Sequence, residues 1–188
     1  MLPSSQSSLC SLGIDVDVYW HARPDVEAQD EHIRLLVEVL VGTVKADADR
    51  RWNRYNEAAM RAEFRKRLVA ASEGRLVPLD HVKSIEHPLA AEMFEIRWQD
   101  ITVTRLSDAG VRHESIRVRL LHAEPGSLGA VALGLHAHEN VVVESDSRAT
   151  RAAQDREIAT AVNVLAGSLQ DWLRRAPAKG LDRRNGRV

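Results

Sequence analysis

Apolar residues recur along this chain with two different periods, and the switch between them separates helical from strand-forming stretches. Over residues 14–20, Ile14, Val16, Val18 and Trp20 alternate with Asp15, Asp17 and Tyr19, the two-residue period of a half-buried strand. After Pro24, a residue suited to a first helical turn, Ile33, Leu36, Val37, Leu40 and Val44 fall at helical spacing and predict a first helix ending near residues 42–45. A second helix is predicted from Asp47, with Trp52, Met60, Phe64, Leu68 and Ala71 on one side, stopping at Gly74. Arg50, Arg51, Arg54, Arg61, Arg65 and Arg67 then form its solvated side, a surface that an acidic partner segment could cover. The two helices are expected to form a hairpin.

Pro78 and Pro88 bound an irregular linking stretch over residues 75–91, after which the period becomes that of strands. Phe94, Ile96 and Trp98 alternate with Glu95, Arg97 and Gln99, and the strand continues over residues 101–105. A loop containing Asp108 and Gly110 leads to a strand over residues 116–122. The turn Glu124-Pro125-Gly126-Ser127 then leads to another over residues 129–138. Finally Ile158, Val162, Leu165, Leu169, Trp172 and Leu173 mark an amphipathic helix that ends before Pro177. The expected class is α+β: an N-terminal strand, a two-helix hairpin, an antiparallel meander of three to four strands and a C-terminal helix. The expected division is a frayed tail over residues 1–13, one domain over 14–174 and a basic flexible tail over 175–188.

Side chains alternate across a strand, so assigning the apolar set to the core decides where the charged set points. With Phe94, Ile96 and Trp98 inward, Arg97 points away; with Ile116, Val118 and Leu120 inward, so do Arg117 and Arg119. On the last strand, Val131, Leu133 and Leu135 inward leave Ala130, Ala132, Gly134, His136 and His138 outward. The open face of the meander is therefore expected to gather guanidinium and imidazole groups over a floor of small residues, where a polyanion could lie. Arginine binds phosphate through paired hydrogen bonds, and histidine exchanges protons near neutral pH. A merely solvated sheet face is the plain alternative. Glu95, Glu114, Glu124 and Glu139 are close enough in sequence to neutralise these cations.

Composition narrows the partners. The formal net charge of −1 lacks the excess that drives non-specific binding to nucleic acid. Residues 1–13 are serine-rich without the apolar run of a signal peptide. The greasiest stretch, residues 35–41, is interrupted by Glu38 and falls short of the roughly 20 residues of a membrane helix. The single cysteine, Cys10, permits no internal disulfide or cysteine-based metal cage. A cytoplasmic protein with no membrane association is the expectation.

The phrases His87-Pro88-Leu89, Met93-Phe94-Glu95-Ile96-Arg97-Trp98, Ile116-Arg117-Val118-Arg119-Leu120-Leu121 and Glu124-Pro125-Gly126, in that order, resemble the HigB-like, phage-derived branch of the RelE/ParE toxin superfamily. Asp155-Arg156-Glu157-Ile158-Ala159 is similar to the start of that family's C-terminal helix, and the likeness spans residues 51–172. The resemblance implies a toxin of a type II toxin–antitoxin pair that cleaves mRNA, often on the ribosome, without metal or cofactor, and that is held by a helix-turn-helix antitoxin. It further implies that Arg97 and either Arg117 or Arg119 clamp RNA phosphate. The family carries lysines after its last main strand, where this chain has Leu135-His136-Ala137-His138-Glu139. His136 and His138 are accordingly expected to replace them as acid–base groups, with Arg97 and Arg119, in a metal-free catalytic set. Two other readings stay open: zinc chelation by His136 and His138 with Glu139 or His122, and a non-catalytic module that keeps the toxin fold for protein contacts.

Overall fold

The computed structural model describes residues 7–107, 110–140 and 146–175. In chain order the elements are β1 (Asp17–Trp20), α1 (Gln29–Lys45), β2 (Arg50–Arg51), α2 (Arg54–Ser72), β3 (Val82–Ser84), β4 (Met93–Ser107), β5 (Gly110–Ala123), β6 (Val131–Glu139) and α3 (Ser147–Arg175). They form a mixed α+β fold. Six strands make one sheet in the order β1-β6-β5-β4-β2, and β3 pairs with another part of β4. β1 runs parallel to β6, whereas β4, β5 and β6 form an antiparallel meander.

The helix boundaries follow local chemistry. α2 starts after Asn53, whose side chain accepts hydrogen bonds from the backbone N–H groups of Tyr55 and Asn56, satisfying two donors that the first turn leaves unpaired. Its chain leaves through Gly74 in the left-handed region (φ 64°), packed so closely on the backbone of Ile14 that a Cβ there would lie 2.5 Å from the Ile14 carbonyl oxygen. The helix predicted from Asp47 thus begins later, because residues 50–51 pair with β4 instead. Pro24 likewise precedes α1 without entering it, and the irregular link over residues 75–91 contains β3.

Two cores lie on opposite faces of the sheet. Ile33, Leu36, Leu40 and Val44 of α1 and Met60, Phe64 and Leu68 of α2 pack on Phe94, Ile96, Trp98, Val118, Leu120 and Ala132. On the other face, Ala161, Trp172 and neighbouring apolar residues of α3 pack on Met93, Leu121, Ala123, Val131, Leu133 and Leu135. The expected open face of the meander is therefore corrected: α3 lies across it. The inward assignment holds for Phe94, Ile96, Trp98, Ile116, Val118 and Leu120, but Val131, Leu133 and Leu135 face α3.

The cause of that reversal is a β-bulge. Leu121 pairs with His136 and the next residue, His122, pairs with Gly134, leaving Leu135 as an extra residue in β6. The extra residue resets the alternation, so Leu133, the bulged Leu135 and, after it, His136 and His138 all share the α3 side. Ala132 and Gly134 consequently do not floor the groove. Gly134 instead faces α1, where a Cβ would lie 2.9 Å from Leu36 Cδ2.

Of the N-terminal segment expected to fray, residues 1–6 lie outside the described residues, and beyond them Ser8 and Cys10 are buried while Leu12 and Gly13 are exposed. Leu9–Ser11 forms a 3-10 turn capped by Ser8, and Cys10 is fully buried. The Ser8 hydroxyl donates to Glu124 Oε1 (2.5 Å), the Leu9 N–H donates to Glu124 Oε2 (2.8 Å), and His122 Nε2 lies 3.0 Å from Glu124 Oε1. The other end of β1 is anchored by His32, whose Nδ1 accepts from the Trp20 N–H (3.0 Å) while its Nε2 lies 3.0 Å from the Val26 carbonyl oxygen. Arg50 also departs from expectation. It is buried rather than on a solvated helix face, and its guanidinium pairs with Glu139 (2.8 Å). Of the expected basic tail, all but Arg175 lies outside the described residues. Among the described residues, no helix is long and apolar enough to cross a membrane.

Candidate functional site

The β-ladder places three of the sequence-predicted residues in one row across the sheet. Arg97 of β4 stands opposite Arg119 of β5, and Arg119 stands opposite His138 of β6. Directly opposed residues on antiparallel strands project to the same side with Cβ atoms roughly 5 Å apart. The row therefore presents two guanidiniums and an imidazole toward α3. The neighbouring row, Glu95, Leu121 and His136, faces the same way.

Two arginines set side by side repel, and Glu95 offsets that repulsion. Its carboxylate pairs with Arg119 and lies 3.4 Å from Arg97 Nε. Arg97 also donates to the Leu79 carbonyl oxygen (2.6 Å). Burial, followed by the neighbouring Arg119 charge, lowers the Arg97 guanidinium below its ordinary pKa. Arg119 is only 9% exposed. Arg117 lies farther along the same face of β5 with its side chain exposed, as a rim cation.

Glu95, Arg97 and Arg119 line a cleft of about 420 Å³ between the sheet and the first half of α3. Lys83, Arg97, Arg119 and Arg151 supply four basic groups against the three acids Glu86, Glu95 and Asp155, with His87 and His138 on the wall. Of the acids expected to compete for the predicted cations, only Glu95 does so. Glu114 pairs with Arg105, Glu139 with Arg50, and Glu124 is buried with Ser8 and His122 on the opposite side of the sheet.

His138 is largely buried, and that burial pushes its imidazole down to about 4, with the Glu157 carboxylate opposing the shift and His136 and Arg119 adding to it. Its Nδ1 is buried without a hydrogen-bond partner. His136 does not line the cleft. Its ring stacks on His138 (5.7 Å between centroids), and its Nε2 lies 2.6 Å from Glu157 Oε2 of α3. The donor atoms of His136, His138 and Glu157 all lie within 4.8 Å of one another. Neither Glu139 nor His122 joins the two histidines, contrary to the chelation reading. Cys10, His122 and Glu124 make a second such cluster, fully enclosed in the body of the protein.

Sequence reasoning missed the contribution of α3. Arg151, Gln154, Asp155 and Ile158 line the cleft at positions i, i+3, i+4 and i+7, one stripe of a helix. The signal was present, since Ile158 was assigned to the apolar side and these polar residues continue its stripe. The phrase beginning at Asp155 lies inside α3, not at the helix start that the resemblance implied. No family model, no curated protein and no solved structure matched the chain when compared with it.

Proposed function

We propose that this chain is an endoribonuclease of the toxin type, with an RNA strand bound along the cleft between the β4–β6 meander and α3. The observation that carries the reading is the transverse row Arg97, Arg119 and His138, which sets two phosphate-binding groups beside a proton-exchanging one. In the reaction, the ribose 2′-oxygen attacks the adjacent phosphorus, the bond from phosphorus to the 5′-oxygen breaks, and a cyclic phosphate forms. The 2′-hydroxyl proton passes to His138, and the 5′-oxygen takes a proton from His136, whose ring turns from Glu157 toward the cleft to deliver it. Arg97 and Arg119 stabilise the charge gathering on the phosphoryl oxygens. Arg117 binds a neighbouring phosphate at the rim, and no metal enters this scheme.

In this reading the chain acts on mRNA in the cytoplasm, on or off the ribosome, and a helix-turn-helix antitoxin restrains it. Its expression alone arrests growth, and purified protein cuts end-labelled RNA. Loss of cutting in Arg119→Ala and in His138→Ala, with folding retained, supports the assignment; unchanged cutting in both overturns it.

One observation favours a second reading, a non-catalytic protein-binding module. Glu95 already engages both guanidiniums, so RNA phosphate must displace a carboxylate to bind. Harmless expression and intact RNA at high protein concentration would select this alternative.

A further inference from the structure

We infer that His136, His138 and Glu157 form a binding site for a divalent transition metal ion of the zinc type, and that occupancy of this site regulates the cleft. Three features of the fold lead there. The bulge at Leu135 turns both histidines of the His-x-His sequence toward α3, so two imidazoles from one strand meet a carboxylate from the helix above them. Their donor atoms already lie within 4.8 Å of one another. His138, at 9% exposure, keeps a ring nitrogen without any hydrogen-bond partner. A buried nitrogen of this kind calls for a ligand, because an unsatisfied polar atom inside a protein carries a desolvation cost that nothing offsets.

The donor set suits the ion. Two imidazoles and one carboxylate are the ligands that zinc, nickel and copper prefer over magnesium or calcium, which favour all-oxygen sites. In a tetrahedral zinc site with bonds near 2.0–2.1 Å, donors sit about 3.4 Å apart. His136 Nε2 and Glu157 Oε2, 2.6 Å apart, must therefore separate to reach that spacing, while the donor of His138, within 4.8 Å of both partners' donors, draws in. Metal binding breaks the His136–Glu157 hydrogen bond: His136 offers Nε2 as the neutral tautomer that carries its proton on Nδ1, and a second ring proton, where one is bound, is released to solvent. Three protein donors leave a fourth position for water.

The enclosed cluster of Cys10, His122 and Glu124 is the weaker candidate. Its carboxylate is already held by Ser8, the Leu9 N–H and His122, and burial leaves a metal no path of approach.

Metal binding stands independently of the nuclease reading, whereas its regulatory consequence rests on that reading. A metal on His136 and His138 removes both from proton transfer, so zinc inhibits cleavage.

The test is titration of the full-length, metal-stripped protein with zinc, followed by calorimetry and by thermal unfolding, and with cobalt(II) as a spectroscopic probe. The expected result is one zinc per chain, a raised Tm, and a cobalt spectrum lacking a thiolate charge-transfer band. Glu157→Gln and His136→Ala should weaken binding by more than the roughly 10–100-fold typical of lost outer-sphere partners. Cys10→Ser should bind as the parent does. Glu157 is partly exposed, so its amide variant stays folded and remains informative if a histidine variant does not.

Absence of zinc binding, or binding unaffected by Glu157→Gln and His136→Ala, overturns the site. RNA cleavage in metal-free buffer, measured in parallel, separates the two proposals. Zinc binding without cleavage sinks the nuclease alone, and cleavage without zinc binding sinks this inference alone. Cleavage that persists with zinc bound overturns the regulatory role.

Discussion

Arg119 of β5 and His138 of β6 stand directly opposite each other on the side of the sheet that α3 covers, and Glu95 of β4 holds the guanidinium of that pair. A buried charge cluster of this kind is sensitive to loss of any one member. The Arg119 and Glu95 side chains are only 10% and 15% exposed, so Glu95→Gln leaves two neighbouring cations without a counter-charge. The expected cost is about 2–4 kcal/mol in urea unfolding. The same variant should bind RNA more tightly at low salt, since phosphate no longer competes with a carboxylate.

If the row Arg97, Arg119 and His138 stabilises a phosphoryl transition state, removing one guanidinium should lower the cleavage rate by about 100-fold or more. Arg97→Ala and Arg119→Ala test this in single-turnover cleavage of a labelled RNA. Arg117→Ala, at the exposed rim, should chiefly weaken binding and reduce its salt dependence.

Acid should destabilise the fold through His138. An unfolded histidine takes up its proton near pH 6.5, whereas burial delays protonation of His138 in the folded protein to about pH 4. The unfolded state therefore binds more protons in between. Stability present above pH 6.5 is lost as pH falls toward 4, by an amount on the order of 1–3 kcal/mol. His32 and His21, both lowered chiefly by burial, contribute to the same slope. His138→Gln should flatten the curve of unfolding free energy against pH in this window without abolishing it.

Gly134 marks a close approach of β6 to α1. A Cβ there would lie 2.9 Å from Leu36 Cδ2 and 3.3 Å from the Tyr19 carbonyl oxygen, and Leu36 is itself fully buried. Gly134→Ala should cost about 1–3 kcal/mol by overpacking. Leu36→Val in the same chain should recover part of the loss, which thermal unfolding of the double variant would show.

Cys10 should be inert in the native state. It is fully buried, and burial together with the Glu124 carboxylate pushes its thiol well above the ordinary range. Reaction with an aromatic disulfide reagent should proceed only as fast as the N-terminal segment opens. Glu124→Gln, which weakens the hold on Ser8 and Leu9, should accelerate it.

Much of the fold was legible in the residue pattern. The helical spacing of Ile33, Leu36, Leu40 and Val44 located α1, and the alternation of Phe94, Ile96 and Trp98 oriented β4, because each element buries a continuous apolar stripe that repeats with its own period. The common side of Arg97 and Arg119 followed from the same alternation. Arg50 was misread because its burial depends on Glu139, a partner 89 residues away that no local pattern reveals.

What the sequence by itself determined, then, was the order of the three helices and of strands β1, β4, β5 and β6, and the common side of the cations on β4 and β5. Periodicity is a local consequence of backbone geometry and of burying one stripe per element. Only the tertiary structure decided that α3 would cover the cationic face, that the Leu135 bulge would place His136 and His138 beneath Glu157, and that Ser8 and Cys10 would be packed away by Glu124 and His122. Those outcomes depend on which surfaces meet across long stretches of chain. One extra residue in a strand shifts every later side chain to the other face, and no count of alternating residues registers where it is inserted.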